Sequence, residues 1–174
     1  MKDKLKGLNK YLVPLNLKFS TYLPRSSVRF ANKYFCDNEV IVIEVGVLNG
    51  ENAKSMLKTL KIKKIYLIDI EKKFEVMGDG VEFIEMPSDK AYKLIKEKAD
   101  FIYIDGDHSY EQVIKDINNY YPLLKEGGIL AGHDIIGEKG VLKAVIEFCS
   151  KNNYNPTIDI DDWWLIKGDK DERD

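Results

Sequence analysis

The chain is poor in cysteine and has no long apolar run, and each shortage narrows what it can be. Its 174 residues include two cysteines, Cys36 and Cys149, far apart and in no metal-ligand spacing. Neither a disulfide framework nor a thiolate metal site is therefore expected; a reducing compartment, the cytoplasm, is, with both thiols in the core. No stretch approaches the roughly 20 apolar residues that a bilayer span needs. The start, Met-Lys-Asp-Lys-Leu-Lys-Gly, has no apolar run behind it, so neither a membrane nor a leader peptide enters the reading. Repeats and low-complexity tracts are missing too. Hydrophobic residues make up 44% and charged residues 32%, which fits one globular domain with a substantial core.

A pyrophosphate cradle is also lacking. Residues 40–69, VIVIEVGVLNGENAKSMLKTLKIKKIYLIDI, read as a buried β-branched strand (40–45), a glycine turn, a helix (51–60) and a second strand (65–68) ending at Asp69. Gly46 and Gly50 bracket the turn, where a missing Cβ allows positive φ and close approach of a ligand. A dinucleotide fingerprint needs glycine where Leu48 stands, and Glu44, just before the turn, repels phosphate. That carboxylate is suited instead to ordering loop amides or meeting an ammonium group. Asp69, at the end of the second strand, is placed to accept hydrogen bonds from a ribose diol. The inferred ligand has a ribose and no diphosphate.

What is present in quantity is acid at strand ends. After a third strand (81–86), Ser88 stands as an N-cap for a helix to about residue 98 and, with Asp89, near where an adenine would lie. Residues 101–104 form a strand that runs into Asp105-Gly106-Asp107-His108, and Ser109 with Gln112 makes a capping box for the next helix. That helix presents Val113, Ile117, Tyr120 or Tyr121, and Leu124 on one face. Lys125–Gly128 reads as a helix stop and turn, the strand 129–132 follows, and it delivers His133-Asp134. Two carboxylates and an imidazole within four residues of one strand end crowd charge that a cation or substrate must offset. Asp105 and Asp134, on neighbouring strands, can share a hard divalent cation, with His133 as nitrogen ligand or base; Asp134 as a helix cap is the structural alternative.

The chain closes with a helix (139–152) and two short strands meeting at an Asp-Asp turn, with Trp163 and Trp164 in hairpin and core packing. The result is a mostly parallel α/β sheet with an antiparallel member near one edge. Charge is uneven along it. Lys2, Lys4, Lys6, Lys10, Lys18, Arg25, Arg29 and Lys33 load the first segment, interleaved with Tyr11, Phe19, Tyr22, Phe30 and Tyr34, while the DKDERD end is acidic. Such a segment can bind nucleic acid, an anionic substrate or a membrane surface, or be a solvated amphipathic face that packs on the sheet or covers a cleft. The expected divisions are a basic, helical segment over 1–38, a catalytic domain over 39–168 and an acidic tail over 169–174.

EVGVLNGEN, YLIDI, FIYIDGDHSYEQVIKDI, LLKEGGILAGHDI and DDWWLIK together resemble S-adenosylmethionine-dependent methyltransferases of the Rossmann-like class, particularly the small group related to sugar and macrolide O-methyltransferases. The resemblance implies a three-layer α/β/α sandwich with a seven-stranded sheet whose last strand is antiparallel. It implies donor contacts at Glu44, Gly46, Val47, Gly50, Asn52, Asp69, Ile70, Ser88 and Asp105. It implies a magnesium site at Asp105, His133 and Asp134, the histidine standing where some relatives carry a second aspartate. Asp107, His108 and His133, with Asp105, are the candidate catalytic groups. No N-P-P-Y stretch of the kind used by amino methylases of bases is present, which favours a small-molecule hydroxyl as acceptor and makes nucleic acid the lesser partner, left open by the basic segment. A homo-oligomer is left open too. Two alternatives remain: a nicotinamide-dependent oxidoreductase, which would share Asp69, and a non-catalytic module that holds S-adenosylmethionine without turnover.

Overall fold

The computed structural model describes residues 23–73 and 78–170. The basic residues before position 23, residues 74–77 and the end of the acidic tail lie outside them. In chain order the elements are α1 (Ser26–Phe35), β1 (Val40–Val45), α2 (Glu51–Thr59), β2 (Ile62–Asp69), β3 (Val81–Glu85), α3 (Ser88–Ala91), a 3₁₀ turn (Tyr92–Leu94), β4 (Ala99–Ile104), α4 (Tyr110–Tyr120), β5 (Leu124–Gly132), α5 (Lys139–Asn152), β6 (Thr157–Asp159) and β7 (Asp162–Ile166).

The strands form one seven-stranded sheet in the order β3-β2-β1-β4-β5-β7-β6. Pairs from β3 to β5 are parallel; β7 runs antiparallel to β5 on one side and to β6 on the other. This is the expected Rossmann-like α/β/α sandwich. Alternation along each strand sends side chains to two separate cores. Ile43, Val45, Ile102, Ile104 and Trp163 pack with α4 and α5, and Val42, Phe101, Tyr103 and Trp164 pack with α1 and α2. Each fully buried Ile, Leu or Val contributes about 1.5–3 kcal/mol, so both faces are covered and the carboxyl edge is left for ligands. Sequential parallel strands reverse direction between β1→β2→β3 and β1→β4→β5, which opens a crevice at the ends of β1 and β4.

Several local expectations are corrected. The helix after Ser88 stops at Ala91, because the chain must turn back into β4 at Ala99; Leu94 is already 56% exposed. Ser88 is inside that helix, Pro87 is the N-cap, and no side chain caps it. Ser109 does stand at the N-cap of α4, yet it makes no side-chain cap bond, and the Gln112 amide turns away to Ser88 and Asp116. Lys125–Gly128 belongs to β5. It is taken up in a bulge, with Ala99 opposite Leu124 but Phe101 opposite Ile129, and Gly127 at φ 73°. The closing turn is Ile160-Asp161, and Asp162 already pairs with Asp159. Cys149 is buried as expected, but Cys36 is exposed, since it lies past the buried face of α1. Among the described residues no helix is long and apolar enough to cross a membrane.

Candidate functional site

The crevice is built on one close approach of backbone. Gly46 sits at φ +83°, and a Cβ placed there would lie 2.2 Å from the carbonyl oxygen of Asp105. Only glycine allows the ends of β1 and β4 to touch in this way, an approach fixed by Asp105 N–H donating to Val45 O at 2.7 Å. The turn after Gly46 then wraps over Asp69. Asp69 Oδ2 accepts from the N–H groups of Val47 (2.8 Å) and Leu48 (2.9 Å), and Oδ1 accepts from Ile70 N–H at 2.7 Å. Asp69 thus faces the crevice but is already engaged by the loop, so a ribose would share its Oδ1. Gly50, at φ 72°, starts α2 and is buried behind the loop without lining the crevice.

A cleft of about 760 Å³ opens along this edge, lined among others by Glu44, Gly46, Val47, Asn52, Asp69 and Ile70. Glu44 is 1% exposed, and its Oε1 accepts from the Asn52 amide at 2.9 Å. Its Oε2 and the Asn52 Oδ1 are both buried with no hydrogen-bond partner among the described residues. With Glu44 ionised, two such acceptors are costly unless a donor arrives. Burial pushes the Glu44 carboxyl up to about 8, against the lowering effect of Asn52. At the other end of the cleft Ser88 donates to Asp116 Oδ1 at 2.7 Å and accepts from Gln112 at 3.1 Å, while Tyr120 donates to the Ser88 carbonyl. Ser88 is therefore a cleft residue held by α4.

Between these two ends lies the cluster of acids. Asp105 Oδ2 is 3.3 Å from the Arg25 guanidinium. His108 Nε2 bridges Asp105 Oδ1 (3.6 Å) and Asp134 Oδ2 (3.3 Å). A hydrogen bond with Asp105 raises the His108 imidazole above its ordinary value, against burial. His133, beside the cleft, has Nδ1 3.2 Å from Asp134 Oδ1 without hydrogen-bond alignment, and Nε2 3.8 Å from Asp162. Asp105, His133 and Asp134 each offer one ligand atom, and the three atoms lie within 4.8 Å of one another. Asp107 differs from its neighbours. Its Oδ1 accepts from Ser109 N–H at 2.7 Å, and that bonding holds the exposed carboxyl below its usual range. It is the turn former that starts α4.

The structure gathers most of the residues named from sequence, Glu44, Asp69, Ser88, Asp105, His108 and Asp134 among them, in one cleft. It adds Arg25, Gln112 and Asp116, and places Asp162 just behind His133. Asp162 was discoverable: an antiparallel last strand pairing Trp163 with Gly132 brings its first residue beside His133. Arg25 carried no local signal.

A family model described as a methyltransferase domain matches residues 43–135. A curated relative, an uncharacterised protein of Acanthamoeba polyphaga mimivirus, is 30% identical over 58% of this chain and 53% of its own. Among solved structures, the MycE methyltransferase of the mycinamycin biosynthetic pathway, in complex with Mg, SAH and mycinamycin VI, is 20% identical. It aligns with a TM-score of 0.64 over 82% of this chain and 50% of that one. The O-methyltransferase NovP aligns with a TM-score of 0.64 at 15% identity, over 81% of this chain and 78% of its own. The chain spans about half the length of the mimivirus relative and of MycE.

Proposed function

The chain belongs to the methyltransferase-domain family, and from that premise we propose that it moves a methyl group from S-adenosylmethionine to a hydroxyl oxygen of a small molecule, with His108 taking the proton. The observation that carries the oxygen assignment is the imidazole of His108 set between two carboxylates, Asp105 and Asp134, at the mouth of the cleft. NovP, an O-methyltransferase by name, has the same fold and supports the choice of acceptor atom.

The residues fit the donor. The orphaned Glu44 Oε2 and Asn52 Oδ1 ask for a cationic N–H donor, which the methionine ammonium is. Val47 and Ile70 flank Asp69, where the ribose would bind, and Ser88 marks the far end for adenine. A sulfonium donor supplies an electrophilic methyl and leaves as a neutral thioether. The protein's task is then alignment and proton removal: the acceptor oxygen bonds to the methyl carbon as the carbon–sulfur bond breaks, and the hydroxyl proton passes to His108 Nδ1, because Nε2 faces two carboxylates and carries its own hydrogen. Asp107 is the weaker base, because its carboxylate is held below the usual range by the Ser109 turn.

The cluster also fits a divalent cation. Three donor atoms converge within 4.8 Å, and His133 Nδ1 is buried with no hydrogen-bond partner among the described residues. Asp105, Asp134 and His133 would hold such an ion, magnesium being the expected one, and it would lower the pKa of an acceptor hydroxyl.

The test is methyl-labelled S-adenosylmethionine with a panel of hydroxylated small molecules, with and without magnesium. Label should enter an ether oxygen, and His108→Ala should lower kcat by about 10²–10⁴-fold. Label found only on amines or RNA would overturn the oxygen assignment.

A further inference from the structure

We infer that Arg25 is the carboxylate-binding residue of the donor site, forming with Glu44 and Asn52 a two-ended cradle for the α-amino-acid end of S-adenosylmethionine. The inference rests on the donor reading above and adds a residue outside the span matched by the family model, 43–135.

Glu44 and Asn52, 1% and 7% exposed, present unpartnered acceptors to the cleft and so favour an ammonium group. In an α-amino acid the ammonium and carboxylate share one carbon, so whatever seats the first brings the second alongside. The cleft there is walled by Glu44, Asp69, Asp105 and Asp134, and a carboxylate desolvated among four acids is strongly disfavoured without a cation. Arg25 supplies one. Its side chain is 23% exposed, it lines the same cleft, and it is close enough to Glu44 to act on that group's charge. The other cleft cations serve elsewhere: His108 sits between Asp105 and Asp134, and Lys73 is half-exposed and 3.0 Å from Glu71.

The guanidinium has capacity to spare. It offers five N–H donors, one of which reaches Asp105, and its Nε is buried with no partner among the described residues. Its position is fixed in advance by the backbone behind it. Ser27 is held to Asp162 by two hydrogen bonds, Arg25 O accepts from Arg29 N–H at 2.9 Å, and the Arg29 guanidinium donates to Ser26 Oγ at 2.8 Å. A donor fork held this way loses little entropy on binding a carboxylate.

The experiment is a two-by-two titration calorimetry comparison on the full chain: wild type and Arg25→Met, each with S-adenosylmethionine and with its decarboxylated analogue. Arg25→Met should weaken S-adenosylmethionine about 10- to 100-fold and leave the decarboxylated compound within about twofold, so the ratio of the two affinities changes. Arg25→Lys, which keeps the charge and loses the fork, should fall between. If Arg25→Met weakens both compounds equally, or neither, while wild type binds S-adenosylmethionine, the inference is overturned and the donor reading stands. If folded wild type binds neither compound, the donor reading falls and takes the inference with it. Thermal unfolding of each variant separates a lost contact from a lost fold.

Discussion

Ser27 donates to Asp162 Oδ2 from both its backbone N–H (2.9 Å) and its hydroxyl (2.6 Å), across 135 positions of chain. Asp162 Oδ1 also accepts from the Tyr103 hydroxyl at 3.1 Å, so one buried carboxylate ties α1, β4 and β7 together directly behind the acid cluster. Burial raises the Asp162 carboxyl, and the Ser27 bonds oppose that rise. The segment before the family-matched span is thereby made part of the site.

Removing the tie should be costly. Asp162→Ala strands the Ser27 N–H and hydroxyl and the Tyr103 hydroxyl, and should destabilise the fold by about 2–4 kcal/mol, while Ser27→Ala, which deletes one bond, should cost about 1 kcal/mol. Chemical denaturation measures both. Equal stability of Asp162→Ala and wild type would show that the tie is not made.

Gly46→Ala should fail for a steric reason. The new Cβ would meet the Asp105 carbonyl at 2.2 Å in a residue at φ +83°. A loss of roughly 2–4 kcal/mol, together with loss of donor binding, is expected. Gly78→Ala is the control. Among the described residues its Cβ would meet only Val81 Cγ2, at 3.6 Å, and stability should change by no more than about 0.5 kcal/mol.

Glu44 sets a pH dependence of stability. Its carboxyl, ordinarily at 4.5, is pushed up to about 8 by burial, so between those values the folded state holds a proton that the unfolded state has lost. Stability contributed by this group is therefore full below 4.5, falls as pH rises through the window and levels off above 8. Glu44→Gln should remove the fall, melting above wild type by roughly 3 °C or more at pH 9 after normalisation at pH 5. Parallel melting curves for the two proteins across that range would contradict the buried-acid account.

The scaffold was legible because strand ends announce themselves. Apolar runs such as IYLI and FIYI run into acids, and parallel neighbours place those acids on one edge, which is how Asp69, Asp105 and Asp134 could be brought together from sequence. Short-range polar pairings were less legible. Ser88 and Gln112 have the spacing of helix caps, but both side chains turn to buried Asp116, which accepts from the Ser88 hydroxyl and the Gln112 amide. Arg25 was read as one charge in a solvated segment, since its partner Asp105 lies 80 positions away and only the α1 packing brings them together. Asp107 looked like a base by proximity to Asp105, and its role as turn former depends on a side-chain rotamer that sequence does not specify.

His108 gives the reaction its pH profile. Hydrogen bonding to Asp105 keeps its proton to higher pH than the ordinary 6.5, so kcat/KM should be low in acid and rise through an inflection above that value. Asp105→Asn should move the inflection down towards 6.5 in whatever activity remains. A profile flat from about pH 6 to about pH 9, roughly half a unit below to 2.5 units above the reference value of 6.5, would remove His108 from the proton transfer.

Titration calorimetry of the folded protein with S-adenosylhomocysteine tests the account most directly, because every role above assumes a sulfur-linked adenosine lying across the carboxyl edge of the sheet. The account predicts saturable one-to-one binding with a Kd of about 1–100 μM, weakened at least tenfold by Glu44→Gln. No heat and no shift in melting temperature at about 1 mM ligand, from protein with a cooperative unfolding transition, would contradict it.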